Sequence, residues 1–446
     1  MKLFYLVTAP QTTGFLRGNL AYMKARGFDV IVCSAPGQQI RETAKIDHVE
    51  YYEIPMSREI SPLQDIVSLW RIFRLMRRLK PTIVNAGTPK AALLGMLTAK
   101  FSCVPVRIFQ QRGLRVETTK GIKRIILWWT EKITCLCASK IICNSQSILY
   151  RMIELKPAPA KKLTTLCLGS SRGVNINDYN INSENLLHSK QLQNSYNFYP
   201  NTFILGFIGR IVKDKGITEL IEAFKKILKA FPDSRLVIVG EEEVGDSIDK
   251  NDMDWLKQSP NVILTGHCKN VIPIYNIFDV LVFPSYREGF PNVVMEAAAM
   301  GIPTVGFNAT GVIDAVVDGE TGTIIPMKDS GSLAEAVLKY LNDSELRIRH
   351  GINGRKRVVR YFQPPMLWEA YYQEYCELLK QKKIPIPKPD KQPEPLPLLD
   401  PEEDEKEFRK WYAVREIALK KQNKEKICRM LNLNIDEIEN MIAKNL

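Results

Sequence analysis

Two glutamates, Glu288 and Glu296, flank a short Gly-Phe-Pro-Asn turn in the second half of the chain. An apolar strand is predicted to end at Phe283 and a helix to begin near Asn292, where the first N–H groups have no intrahelical partner. Such a helix start binds phosphate without a metal ion. Glu296, one turn into the helix, lies at the depth where it can accept two ribose hydroxyls, and Glu288 can contact sugar hydroxyls beside the phosphates. The alternative is an ordinary loop with a surface glutamate.

Two cations precede this segment in the chain. Arg210 follows the strand predicted over 203–208, and Lys215 precedes the next predicted helix. Two cations suit a diphosphate whose negative charge grows as its glycosyl bond breaks. Alone, this spacing fits a solvated surface equally well. The pair gains weight because Lys215 lies 73 residues before Glu288 in the same predicted domain.

The residue pattern predicts neither a metal site nor a histidine base. Asp252 and Asp254 form an Asp-x-Asp within a polar stretch that is typical of a solvated surface, and Cys135 and Cys137 alternate in an apolar run that is typical of core. None of the histidines follows a predicted strand of the first half; they are His48, His188, His267 and His350.

The elements that carry these residues form two βα repeats. Short apolar runs alternate with amphipathic stretches from residue 3 to residue 165, and the pattern restarts at Phe203. Strands that alternate with helices predict parallel sheets covered on both faces. We therefore expect an α/β fold with two Rossmann-like domains, residues 1–175 and 202–356, that face each other across a cleft.

The C-terminal part of the sequence has a different character. Prolines crowd residues 384–401 and favour an extended linker. Residues 402–446 begin acidic and continue with a helical pattern, which predicts a short helical appendage on a semi-rigid tether. A partner contact and a packing extension are both open as its role.

Composition and charge narrow the class of protein. The chain has 446 residues, is 45% hydrophobic and carries 62 Lys and Arg against 49 Asp and Glu, which excludes disordered, collagenous and coiled-coil chains. Nine dispersed cysteines do not form a disulfide framework. The N-terminal apolar run stops at Pro10, too short for a signal peptide, and no stretch reaches the roughly 18 apolar residues of a membrane span.

The positive charge is concentrated in the first half of the chain. Residues 1–165 hold 26 Lys and Arg against 10 Asp and Glu, which fits an anionic partner. Basic amphipathic patterns over 69–80 and 120–129 can dock on an anionic bilayer or be packed helices with charged outer faces. No nucleic-acid-binding module appears, so nucleic acid is not expected as a partner.

Taken together, these residues resemble the retaining nucleotide-sugar glycosyltransferases of family 4, which have the glycosyltransferase B fold. The resemblance spans about residues 2–380 and implies a metal-independent transferase without a cofactor. It implies that Arg210 and Lys215 bind the donor diphosphate, that Glu288 contacts the donor sugar and that Glu296 holds the ribose. Further donor-binding residues are Gly209, Phe290, Asn292 and Val293.

The resemblance also assigns an acceptor side to the first domain, which residues 357–380 are expected to rejoin through a returning helix. Residues after the predicted strands face the cleft there; they are Gly14, Arg17, Asn85, Lys90 and Arg112. Many relatives carry histidines where this chain has Asn85 and Gly87, and a histidine before the glycine where this chain has Arg112. We expect the departing phosphate oxygen to accept the acceptor proton instead.

The resemblance extends to bacterial enzymes that build capsule or O-antigen units. It implies a UDP-sugar donor and a glycan or lipid-linked acceptor. The dispersed cysteines favour a cytoplasmic location, and the basic first half favours a peripheral position on the inner face of the membrane. A sugar-nucleotide epimerase or hydrolase of the same fold remains open, as does a non-catalytic assembly partner.

Overall fold

The computed structural model describes residues 1–57, 61–199, 202–243, 247–389, 394 and 396–445. These residues divide into two compact units: Met1–Gly173 with Pro364–Leu398, and Val174–Gln363 with Leu399–Leu446. Both units are Rossmann-like, so the predicted α/β class is confirmed.

Unit 1 is built on a seven-stranded parallel sheet in the order β3-β2-β1-β4-β5-β6-β7. Its strands are β1 (Lys2–Leu6), β2 (Asp29–Ser34), β3 (Glu50–Glu53), β4 (Ile83–Gly87), β5 (Val106–Gln111), β6 (Lys140–Cys143) and β7 (Leu163–Thr165). Its helices are α1 (Asn19–Ala25), α2 (Gln38–Ile46), α3 (Pro62–Leu79), α4 (Pro89–Phe101), α5 (Gly121–Cys137), α6 (Gln146–Leu155) and, after unit 2, α15 (Pro364–Gln381). Helices α3 to α6 cover one face of the sheet, and α1, α2 and α15 cover the other.

Unit 2 repeats the arrangement with six parallel strands in the order β10-β9-β8-β11-β12-β13. The strands are β8 (Ile204–Ile208), β9 (Arg235–Val239), β10 (Val262–Gly266), β11 (Val280–Phe283), β12 (Thr304–Phe307) and β13 (Gly322–Ile325). The helices between and after them are α7 (Ser183–Ser195), α8 (Ile217–Ala230), α9 (Lys250–Gln258), α10 (Ile272–Ile277), α11 (Asn292–Ala299), α12 (Val312–Ala315), α13 (Ser330–Asn342) and α14 (Ser344–Tyr361). Because the strands are parallel, the loops after β8 and β11 meet at one sheet edge, which is where a ligand binds in this class of fold.

The returning helix begins later than the sequence indicated. Helix α14 continues through residue 357 to Tyr361 in unit 2, and the chain passes to unit 1 only at Pro364. Pro364 and Pro365 explain the break, because proline is tolerated in the first turn of a helix but not within its interior.

The C-terminal helices α16 (Pro401–Ala418), α17 (Lys424–Leu431) and α18 (Ile435–Asn445) confirm the predicted helical character. They are more than a tethered appendage, because Phe408, Tyr412, Ile427 and Ile438 belong to the same core as the sheet of unit 2. The proline-rich segment is also anchored through the side-chain amide of Gln363. Gln363 Nε2 donates to Leu399 O, and Gln363 Oε1 accepts from Leu399 N, each at 2.8 Å. Residues 390–393 and 395 of the predicted linker lie outside the described part of the chain.

Among the described residues, no helix is both long enough and apolar enough to span a membrane. All nine cysteines are free thiols.

Candidate active site

Lys215 and Glu288 meet at the sheet edge of unit 2, where β8 and β11 end. Lys215 Nζ donates to Glu288 Oε1, which also accepts a hydrogen bond from Ser285 Oγ at 2.7 Å. Both side chains of the ion pair are only 16% exposed. The structure thus brings together two residues that are far apart in the chain, in a largely shielded ion pair.

The loops that carry this pair are held together by a backbone hydrogen bond and a side-chain ion pair. Asp214 O accepts from Tyr286 N at 2.9 Å, and Asp214 Oδ2 pairs with Arg287 Nη2 at 2.9 Å. Gly216 has φ +66°, and a Cβ there would lie 2.1 Å from Pro284 O. Only glycine fits this close approach, which fixes the position of Lys215 one residue earlier.

Helix α11 begins at Asn292, as predicted, and presents its first turn at the same edge. Its N-cap is Pro291, which makes no side-chain capping bond, so the first backbone N–H groups, including those of Asn292 and Val293, are available to an anion. Phe290 is buried against Phe362, with ring centroids 5.4 Å apart, and anchors the turn before the helix.

Glu296 lies one turn into α11 and is 6% exposed. Tyr275 Oη of α10 donates to Glu296 Oε2 at 3.0 Å. Tyr275 itself is fully buried. A fixed carboxylate at this depth can accept hydrogen bonds from a pair of vicinal hydroxyls, the role that the sequence assigned to it.

Arg210 lies on a neighbouring part of the edge and pairs with Glu243. Its side chain is 49% exposed, so it is the more accessible of the two predicted diphosphate cations. Gly209, just before it, is packed closely, because a Cβ on Gly240 would lie 1.9 Å from Gly209 O.

The predicted acceptor-side residues of unit 1 are held by contacts within that unit. Asn85 is buried, and its Nδ2 donates to Tyr375 Oη at 2.7 Å. Lys90 Nζ pairs with Asp65 Oδ1 at 2.7 Å. Asn85 therefore joins β4 to α15 in the interior, a structural contact that the sequence did not indicate.

Arg17 and Gly14 lie after β1. Arg17 Nε donates to Thr43 Oγ1 at 3.2 Å, and its guanidinium also pairs with Glu42. Gly14 lies within the short 3-10 helix Pro10–Leu16, and a Cβ at this position would meet nothing within 4 Å. The space into which a Cβ of Gly14 would project is therefore not filled by other described residues of the protein.

Arg112 follows β5 and packs against Gly87 of β4. A Cβ at Gly87 would lie 2.9 Å from Arg112 Nε, so the guanidinium fills the space that the missing side chain leaves. Burial lowers the pKa of Arg112. Its Nε is buried and, within the part of the chain that the structure describes, has no hydrogen-bond partner.

Comparison with known proteins bears on what this site does. Residues 19–169 match the family described as Glycosyltransferase Family 4, and residues 189–357 match Glycosyl transferases group 1. CapM of Staphylococcus aureus, a capsular polysaccharide biosynthesis glycosyltransferase, is 40% identical over 384 residues, which is 86% of this chain and 98% of CapM. The chain is a member of this glycosyltransferase family.

A more distant relative and a solved structure extend the comparison. The Escherichia coli UDP-Gal:alpha-D-GlcNAc-diphosphoundecaprenol alpha-1,3-galactosyltransferase is 26% identical over 328 residues, 71% of this chain and 81% of that enzyme. Anabaena HepE in complex with UDP-glucose superimposes with a TM-score of 0.69 at 17% identity, over 85% of this chain and 100% of HepE. This likeness supports the glycosyltransferase B fold of both units.

The structure of this glycosyltransferase adds residues that sequence reasoning did not single out. Ser285 and Tyr275 hydrogen-bond to Glu288 and Glu296 respectively. Tyr275 lies 21 residues before Glu296 on a different helix, so no spacing connects the two. Ser285 lies three residues before Glu288, and that proximity is the only signal available from the sequence.

Proposed function

We propose that this glycosyltransferase moves a sugar from a UDP-sugar to a hydroxyl of a lipid-linked or glycan acceptor in the assembly of a bacterial surface polysaccharide. The observation that carries the proposal is the edge of unit 2, which combines the Lys215–Glu288 pair, the uncapped start of α11 and the fixed Glu296 carboxylate. The names of the relatives support it: CapM acts in capsule biosynthesis, and the Escherichia coli enzyme uses UDP-Gal.

Each part of the donor has a matching group at this edge. The α11 amides and the cations Arg210 and Lys215 neutralise the diphosphate, so the proposal includes no metal ion. Glu296 accepts from the ribose hydroxyls, and Glu288 contacts the sugar. Lys215 links the diphosphate and sugar regions, because it pairs with Glu288 in the free protein and can turn to the diphosphate in the complex.

The proposed transfer retains the configuration at the anomeric carbon. The bond from that carbon to the β-phosphate oxygen breaks, and the acceptor oxygen bonds to the same face. The departing phosphate oxygen takes the acceptor proton, which gives a glycoside and UDP. The residues position the reactants and stabilise the charge on the leaving group. Retention rests on the resemblance to family 4 and is tested by NMR of the anomeric proton in the product.

The surface of unit 1 supports a membrane-borne acceptor. The outer face of α5 exposes six large apolar side chains at helical spacing, each 39–77% exposed; they are Ile122, Ile125, Ile126, Trp129, Ile133 and Leu136. Cations lie on the same helix, namely Lys123, Arg124 and Lys132. An apolar stripe with basic flanks matches the interface of an anionic bilayer, where the stripe is buried and the cations meet lipid phosphates.

Helix α3 repeats the pattern, with exposed Leu63, Ile66, Val67 and Trp70 followed by exposed Arg71 and Arg74. We therefore infer a peripheral position on the cytoplasmic face of the membrane, where UDP-sugars and lipid-linked acceptors meet. We expect Ile125→Glu with Trp129→Glu to abolish sedimentation with vesicles that contain anionic lipid. Ile46→Glu, at an exposed isoleucine (57%) on the other side of the sheet, is the control and keeps binding. Equal binding by both variants would remove this surface from the proposal.

A donor panel tests the function itself. Purified protein is mixed with UDP-, GDP- and dTDP-sugars without added metal, and the melting temperature and the release of free sugar are followed. We expect one UDP-sugar to stabilise the protein, and Arg210→Ala to lose that effect. A donor that is hydrolysed or epimerised but never transferred, with lipid acceptor and vesicles present, would favour the hydrolase or epimerase interpretation.

A further inference from the structure

The C-terminal module, defined as α16 to α18 (401–445), packs against the end of the helix that carries Glu296. Gly301, just after α11, has φ +68°, and a Cβ there would lie 2.7 Å from the Tyr412 ring and 2.9 Å from the Phe408 ring. The contact is therefore as close as a glycine allows. It lies at the opposite end of α11 from the proposed phosphate site.

At this contact, two cationic side chains donate hydrogen bonds to carbonyl groups at the C-terminal ends of two helices. Arg415 Nη1 of the module donates to Met300 O, the C-cap of α11, at 2.7 Å. Lys420 Nζ donates to Ile277 O, at the end of α10. Positive charge at a helix C-terminus is favourable because it meets the negative end of the helix dipole and otherwise unpaired carbonyls.

These cations are buried and belong to one charge network. Arg415 pairs with Glu416 at 3.0 Å, and Lys420 pairs with Asp279 at 3.0 Å, with every side chain at most 5% exposed. Arg347 of α14 lies between the two acids, 3.4 Å from Glu416 and 3.6 Å from Asp279. Burial of so many charges is costly unless each is paired, so the network fixes one arrangement of the module on α10 and α11.

The two helices whose ends are capped in this way, α10 and α11, are those that build the proposed ribose site. Met300 N donates to Glu296 O at 3.1 Å, so Arg415 acts on the residue that closes the turn of Glu296. Tyr275, which donates to Glu296 Oε2, lies two residues before Ile277. Arg415 and Lys420 thus hold the ends of the two helices whose side chains meet in the Tyr275–Glu296 hydrogen bond.

We propose that the C-terminal module positions the donor site, with Arg415 and Lys420 as positioning residues that set the relation of α10 to α11. This rests on the proposed function, because the site positioned is the one assigned to the nucleotide. The consequence is specific: weakening the module lowers the affinity for the donor nucleotide and leaves the affinity for the acceptor unchanged.

The test compares Arg415→Met and Lys420→Met in the full chain with a matched control. Lys410→Met is the control, because Lys410 pairs with Glu437 within the module and both are at the surface. We expect each of the first two variants to raise the Kd for UDP and the KM for donor about 5- to 20-fold, less than the full contribution of a charge-assisted hydrogen bond, because neither residue touches the donor. The acceptor KM stays within about twofold, and Arg415→Lys recovers part of the loss.

A purely structural role gives a different result. If the substitutions destabilise the fold without changing the relation of α10 to α11, they lower the melting temperature and the fraction of active protein, and therefore the apparent kcat. The UDP Kd of the folded protein then stays unchanged. That outcome in either folded variant overturns the proposal. Should Arg415→Met not fold, Lys420→Met and Arg415→Lys carry the same comparison. Failure of the wild-type protein to bind UDP would instead overturn the proposed function.

Discussion

The ion pair of Lys215 and Glu288 gives the sharpest quantitative expectation, through a double-mutant cycle with Lys215→Met and Glu288→Gln. Exposed pairs contribute about 0.2–1 kcal/mol, and breaking a buried pair costs about 3–5 kcal/mol. With both side chains 16% exposed and Ser285 Oγ as a further partner of Glu288, we place the coupling at about 1–2 kcal/mol.

Urea unfolding of the wild-type protein and the three variants measures this coupling. The double variant is expected to lose less stability than the sum of the single variants. Each single variant leaves one charge of the pair without its partner, whereas the double variant removes both charges. Lys225→Met is a matched control, since Lys225 lies on α8 of the same unit and contacts the Trp255 ring instead of an acid. A coupling below about 0.3 kcal/mol would show that the two side chains do not meet in solution, and would refute the geometry of the site.

The same variants predict the size of the catalytic loss. A cation that stabilises a departing diphosphate contributes about 2.7–4 kcal/mol to the transition state, so Lys215→Met should lower kcat/KM for donor about 10²- to 10³-fold. Lys225→Met should leave it within about twofold. Equal activity of wild type and Lys215→Met would contradict the role assigned to Lys215, whatever the stability measurements show.

Three further predictions concern other residues. Tyr275→Phe removes a hydrogen bond to Glu296 and should raise the donor KM about 5- to 10-fold with kcat little changed, as steady-state kinetics will show. Gly216→Ala should cost about 2–3 kcal/mol of unfolding free energy in urea, because the Cβ meets Pro284 O at a left-handed φ; unchanged stability would contradict the close approach. Burial raises the pKa of Glu131 from 4.5 to about 7, so the folded state binds the extra proton and stability falls as pH rises through that window. Glu131→Gln should remove this fall, gaining up to about 3 kcal/mol relative to wild type between pH 4 and pH 8, and parallel pH profiles would refute it.

The sequence predicted the parts of the site that local pattern governs. Glu288 and the start of α11 at Asn292 follow from a strand, a turn and a helix in succession, and parallel topology brings Lys215 to the same edge. Tyr275 was beyond reach, because its hydrogen bond to Glu296 depends on how α10 packs against α11. Asn85 was assigned to the acceptor side because it follows from the strand pattern that it lies near the sheet edge. Its hydrogen bond to Tyr375 could not be predicted, because it depends on how α15 packs against β4.

The C-terminal module marks a second limit of sequence reasoning. The sequence predicts a helical appendage but leaves a partner contact and a packing extension both open, because it does not distinguish a buried charge from an exposed one. The structure buries Arg415 and Glu416 and pairs Arg355 with Asp404 at 2.7 Å across α14 and α16. Prolines 385, 387 and 389 lie in a segment without helix or strand, as the sequence indicated. The helices that follow this segment are packed into the core of unit 2 instead of extending freely into solvent.

The most direct test of the central claim is a transfer assay with a radiolabelled UDP-sugar, a polyprenyl-diphosphate-linked acceptor and anionic vesicles, run with wild type and Glu288→Gln. We expect label to enter the lipid fraction and one UDP to be released for each sugar transferred, with transfer lost in Glu288→Gln although the variant remains folded at the assay temperature. Transfer that persists at the wild-type rate in Glu288→Gln would contradict the site, and UDP release without labelled lipid would contradict the assignment as a transferase.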